Sequence, residues 1–175
     1  MILKLKRSPG IYVVGFMASG KTTIGRYLAD ELGWSFADLD DDIESQQGVK
    51  IAEIFDTQGE EEFRRIETAI LTRRIRMIER GQPTVLALGG GTFAQPANFE
   101  LMEENGVSVW LDCPFDMVCR RVSVASHRPL ARDPEQFRRL FDDRRAAYVR
   151  SDYRISIVDD DPMSAVRQIL NLPIF

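Results

Sequence analysis

The chain has 175 residues, 44% of them hydrophobic and 29% charged, which suits one domain with a proper core. A net charge of -4 argues against a nucleic-acid binder, and no apolar run approaches the roughly 20 residues that cross a bilayer. Met1–Arg7 is too short and too charged for a signal peptide. Cys113 and Cys119 fit neither a zinc pattern nor a redox pair, so reduced thiols and a cytoplasmic location are expected. Arginines crowd the stretch from Arg120 to Arg154, where they could form a local anion site inside an acidic protein.

Apolar β-branched runs alternate with helical patterns from the start. Ile11–Val14 reads as a strand buried on both faces, followed by a Gly-rich turn and a helix from Lys21 to about Leu32. A short strand at Ser35–Ala37 precedes helical pieces at Asp41–Gln47 and Ile51–Phe55, then a long helix from about Glu60 to Arg80. Phe63, Ile66 and Ile70 form its expected core stripe, and Gly81 closes it. Thr84–Leu88 is a strand ending in three glycines. A helix at Pro96–Glu104, a strand at Val107–Leu111 and a helix from Pro114 to about Val122 follow. Ser123–Pro134 has no period and two prolines, so it reads as a loop. Glu135–Val149 reads as a helix, Arg154–Val158 as a strand and Met163–Leu170 as a terminal helix. Five strands separated by helices predict an α/β fold, a parallel sheet covered on both faces with its ligand site beyond the strands' carboxyl ends.

Gly15-Phe16-Met17-Ala18-Ser19-Gly20-Lys21-Thr22 satisfies G-x-x-x-x-G-K-[ST] between a predicted strand and a predicted helix. In that context backbone N–H groups turn toward phosphate oxygens, and the helix N-terminus adds its positive end. Lys21 reaches the β- and γ-phosphates and the Thr22 hydroxyl ligates magnesium. The motif implies a nucleoside triphosphate ligand. The strand Val85–Leu88 ends in glycines rather than in the Asp typical of NTPases, which points to a kinase for a small acceptor.

Three constellations describe the acceptor side, and each has a plainer reading. Asp38 and Asp40, two apart on an extended chain, would point the same way toward the nucleotide, one for magnesium and one for a substrate proton. Asp38–Asp42 could equally be a solvated acidic helix N-terminus. Arg64 and Glu67, three apart on a helix, would fix a guanidinium fork for a substrate carboxylate, or make only a surface ion pair. Gly89-Gly90-Gly91 could let a substrate approach the backbone, or simply turn the chain. Arg128, in the loop, and Arg144, four residues before Tyr148, could close over the transferring phosphate and the acceptor. His127 reads as an exposed loop residue.

With these motifs in this order, the chain resembles shikimate kinases from Ile11 to about Leu170. The matching features are Lys21-Thr22-Thr23-Ile24-Gly25, Asp38-x-Asp40, Phe63-Arg64-Arg65-Ile66-Glu67, Leu88-Gly89-Gly90-Gly91, Arg128-Pro129-Leu130 and Arg144-x-x-x-Tyr148. The resemblance implies Mg-ATP-dependent phosphorylation of the 3-hydroxyl of shikimate, a step of aromatic amino-acid biosynthesis. It implies a three-layer sandwich whose five-stranded parallel sheet has the order 2-3-1-4-5. One domain spanning 1–175 would carry a mobile lid at about 123–134 and a shikimate-binding segment at about 40–70, as a monomer. By matching position, Gly15, Met17, Ala18, Ser19, Gly20, Lys21, Thr22 and Thr23 would hold ATP, with Arg121 against adenine and Arg128 on the phosphates. Thr22 and Asp38 would serve magnesium. Arg64 and Arg144 would grip the shikimate carboxylate, and Asp40 would hold ring hydroxyls and act as base. Gly89, Gly90, Gly91, Phe55, Phe63 and Glu67 would complete that pocket. The catalytic set would be Lys21, Asp40 and Arg128.

The chain departs from the family pattern at Phe16 and Ala18, and in the acidic segment Val158–Pro162, where some relatives are basic. A gluconate-type kinase, or a regulator that binds without turnover, would share the loop. The regulator reading sits poorly with a complete set of Lys21, Asp40, Arg64, Arg128 and Arg144.

Overall fold

The computed structural model describes residues 10–124 and 133–175. Five parallel strands form one sheet: β1 (Gly10–Val14), β2 (Ser35–Asp38), β3 (Thr84–Ala87), β4 (Val107–Asp112) and β5 (Tyr153–Ser156). Their order is β2-β3-β1-β4-β5, as the resemblance implied. Central β1 is buried along its whole length, and so are β3 and β4. Helices on both faces leave no polar side of the sheet, so these strands read as apolar runs rather than alternating ones.

Register decides where the site lies. Asp38 pairs with Ala87, Val13 also pairs with Ala87, and Val14 pairs with Trp110. Strands β1, β2 and β3 therefore end within a residue of one another, and the loops that leave them emerge side by side at the carboxyl edge.

The helices are α1 (Lys21–Leu32), α2 (Leu39–Gln47), α3 (Ile51–Glu79), α4 (Pro96–Asn105), α5 (Phe115–Val124), α6 (Pro134–Tyr148) and α7 (Pro162–Leu170). The two helical pieces expected at Ile51–Phe55 and Glu60–Arg80 are one kinked element, bent where Gly59 takes φ 82 and ψ 171. Its stripe of Phe63, Ile66 and Ile70 is buried as expected. Gly81 follows it at φ 94, its N–H donating to the Ile78 carbonyl. Helix α5 runs through Ser123 and Val124, two residues into the expected loop, and α6 begins at Pro134 with Asp133 as its cap. The remainder of the expected lid lies outside the described residues, with His127, Arg128, Pro129 and Leu130. So does the Met1–Arg7 segment. Cys113 is buried, Cys119 half-buried, and both are free thiols; burial raises each thiol above its usual range.

Candidate active site

The loop between β1 and α1 wraps tightly. Ser19 N–H donates to the Phe16 carbonyl at 3.2 Å, and Ala18 takes a left-handed φ of 60. Lys21 Nζ donates to the same Phe16 carbonyl at 3.0 Å, which folds its ammonium over the loop. Ser19 is fully buried, and its hydroxyl packs against Gly15 rather than facing the cleft. Met17, Ala18, Gly20, Lys21, Thr22 and Thr23 line a cavity of about 240 Å³ together with Asp38, Asp40 and Gly90. Phe16 packs away from it, edge-on to Phe141 with ring centroids 5.2 Å apart.

The two aspartates sit differently from the extended geometry expected of them. Only Asp38 belongs to the strand; α2 starts at Leu39, so Asp40 lies in the first helical turn. The cause is local: the Asp38 carboxylate accepts from Asp40 N–H at 3.0 Å and caps the helix. The acidic run is thus a capped helix N-terminus, and in that form it still brings two carboxylates to the wall of the cavity under the loop. The other oxygen of Asp38 accepts from Thr22 Oγ1 at 2.6 Å. Burial first, then the Asp38 charge, pushes the Asp40 carboxyl up to about 6, with Lys21 pulling the other way.

A second cavity of about 170 Å³ adjoins the first, and Asp40 and Gly90 wall both. Ile51, Phe55, Phe63, Arg64, Glu67 and the three glycines complete it. Arg64 Nη1 donates to Glu67 Oε1 at 2.8 Å. Glu67 is 1% exposed, so this is no surface ion pair; removing either partner would strand a buried charge. The Arg64 guanidinium lies 5.1 Å from the centre of the Phe63 ring, and Phe55 stacks on Phe63 at 4.5 Å.

Arg144 reaches the same place from α6. A Cβ on Gly91 would lie 2.5 Å from Arg64 Nη2 and 3.0 Å from both terminal nitrogens of Arg144. A Cβ on Gly89 would lie 2.7 Å from Asp40 Oδ1. The glycine run thus does more than turn the chain: two cations and a carboxylate occupy the space where side chains would be. Tyr148, one turn beyond Arg144, donates its hydroxyl to the Gly90 carbonyl at 2.5 Å and holds the run against α6.

On the far side of the phosphate loop, a cleft of about 330 Å³ runs between the loop and the start of α7. Arg121 walls it, donating to the Ala18 carbonyl at 2.9 Å and to Asp160 at 2.9 Å. The acidic run is internally satisfied. Asp159 accepts from Asp161 N–H and Ser164 Oγ, Asp160 takes Arg120 and Arg121, and Asp161 caps α7. Arg120 and Arg121 offset the Asp160 charge, while Asp159 is held by neutral donors.

Hard oxygen donors at Thr22 and Asp38, beside the phosphate cavity, suit magnesium, which takes few protein ligands and completes its shell with phosphate and water. Among the described residues no cluster of three or more His, Cys, Asp or Glu offers an alternative metal centre. No described helix is long and apolar enough to cross a membrane. Thr92 and Asn98 escaped the sequence reading; Thr92 holds Glu67, and Asn98 holds the Thr92 carbonyl next to Gly91. No local pattern marks them, because their partners lie 6 to 30 positions away.

A sequence profile described as "Shikimate kinase" matches residues 17–172. A protein named shikimate kinase from Persephonella marina is 40% identical over 164 residues, covering 91% of this chain and 96% of that one. The solved structure of shikimate kinase from Acinetobacter baumannii in complex with shikimate superposes with a TM-score of 0.84 at 33% identity, over 97% of this chain and 95% of the other. A gluconokinase from Sinorhizobium meliloti, at 16% identity and a TM-score of 0.58 over 94% and 91%, shares the fold alone.

Proposed function

The chain belongs to the shikimate kinase family, and from that premise we propose that it transfers the γ-phosphate of ATP to the 3-hydroxyl of shikimate. One observation carries the reading: two adjoining cavities, one under the phosphate loop and one lined by Arg64, share Asp40 as their wall. A base at that boundary meets an acceptor hydroxyl on one side and a phosphoryl group on the other.

Phosphoryl transfer asks the protein mainly to position and neutralise. The Arg64 fork, held by Glu67, and Arg144 across Gly91 form a paired-cation seat suited to the acceptor carboxylate. Asp40 accepts the hydroxyl proton as that oxygen bonds to the γ-phosphorus, while the bond to the β–γ bridging oxygen breaks and ADP leaves. With its carboxyl near 6, Asp40 is mostly ionised at neutral pH yet basic enough for the task. Lys21 moves from the Phe16 carbonyl to the phosphates. Magnesium, held by Thr22 and Asp38, would supply charge neutralisation when bound. Arg121 borders the adenine side. A role for Arg128 on the phosphates rests on the family resemblance alone.

The test is coupled ADP release with Mg-ATP and shikimate, quinate, gluconate or no acceptor. Turnover that depends on shikimate is expected. Turnover with gluconate in its place, or tight ATP binding with no acceptor-dependent turnover, overturns the assignment.

A further inference from the structure

We propose that Thr92 and Asn98 are positioning residues for acceptor recognition, locking the Glu67 carboxylate that orients Arg64. The inference rests on the acceptor-site reading given above. Its grounds are a chain of hydrogen bonds that begins in the pocket and ends behind it. Arg64 Nη1 donates to one oxygen of Glu67 at 2.8 Å, and Thr92 Oγ1 donates to the other at 2.7 Å. Asn98 Nδ2 then donates to the Thr92 carbonyl at 3.1 Å, and Asn98 Oδ1 accepts from Thr68 Oγ1 at 2.7 Å. Glu67 is 1% exposed, and Thr92 and Asn98 are fully buried.

Three elements meet in this chain. Glu67 and Thr68 come from α3, Thr92 from the single 3₁₀ turn after the glycines, and Asn98 from α4. A buried carboxylate with one donor can rotate; with donors on both oxygens it has one orientation, and so has the guanidinium bound to it. The chain also places Gly91, because Thr92 is its neighbour and a Cβ at Gly91 would already touch Arg64 and Arg144. Asn98 thus sets the distance between the glycine run and the arginine fork without touching the ligand.

A merely packing role predicts something different. Thr92→Val keeps size and branching but cannot donate, whereas Thr92→Ser keeps the hydroxyl and loses a methyl group. The experiment is calorimetric titration of shikimate into the wild type, Thr92→Val and Thr92→Ser, with KM measured separately for shikimate and ATP. The expected result is about a tenfold loss of shikimate affinity in Thr92→Val, carried by the KM for shikimate and not that for ATP, with near-parental affinity in Thr92→Ser. Thr68→Val, at a half-buried position, breaks the far end of the chain and is expected to cost about threefold. It keeps the test decisive if Thr92→Val does not fold. Wild type that binds no shikimate overturns the acceptor assignment and this inference with it. Wild type that binds, alongside variants of unchanged affinity or a Thr92→Ser as impaired as Thr92→Val, overturns this inference alone.

Discussion

The acceptor pocket and the cleft beyond the phosphate loop both hold an arginine beside a carboxylate, and they use the pair in opposite ways. In the pocket, Arg64 is 17% exposed and Glu67 1%, and every oxygen of that carboxylate has a donor. In the cleft, Asp160 is 65% exposed and reaches Arg120 and Arg121 from open solvent. A buried pair is costly to assemble and costly to break, so it holds geometry; an exposed pair yields to water and salt. Fine discrimination is therefore expected at the acceptor. The proposed nucleotide grip rests instead on the backbone and Lys21 of the phosphate loop.

The largest effect should come at the boundary of the two cavities. Asp40→Asn should lower turnover by about 10² or more, because it removes the base proposed at the acceptor hydroxyl. Wild-type kcat/KM should rise with pH through about 6 and level off above it, as Asp40 ionises. Stability should move in the opposite sense. The folded carboxyl titrates near 6 and the unfolded one near 3.8, so the folded state holds the proton more tightly, and stability is lost as pH rises through that window. At pH 8 Asp40→Asn should accordingly melt at a higher temperature than the parent, by up to about 3 kcal/mol of unfolding free energy. A variant that keeps turnover, or one that melts lower at pH 8, would contradict this placement of Asp40.

Next in size, Arg64→Ala should weaken shikimate binding by about 100-fold in a calorimetric titration, since a charge-assisted contact goes and Glu67 is stranded. Equal affinity would reduce the buried pair to packing and erase the contrast with the cleft. Asp160→Asn should do least, shifting the KM for ATP by less than about threefold, with the difference fading as salt is added. A tenfold change that persisted at high salt would place the cleft on a par with the pocket.

The phosphate loop was legible because its chemistry is carried by consecutive residues, between a strand and a helix that announce themselves by pattern. The sheet order followed from resemblance. The Arg64–Glu67 pair was legible as helical neighbours, but its burial was not, because burial depends on what α4 and the turn before it lay across α3. Reading Asp38 and Asp40 as an extended pair failed for a local reason: a carboxylate that accepts its second neighbour's N–H starts a helix at once.

Along the chain, 3.6-residue periods, short apolar β-branched runs and a contiguous glycine-lysine motif decide element type, layer class and the presence of a phosphate site, since each is a property of neighbours in sequence. Which cations converge on Gly91, which oxygens of Glu67 are filled and how far Asp40 is raised depend on groups up to dozens of positions apart. Those properties arise from close approach and from the exclusion of water, and both exist only once the sheet has brought its loops to one edge.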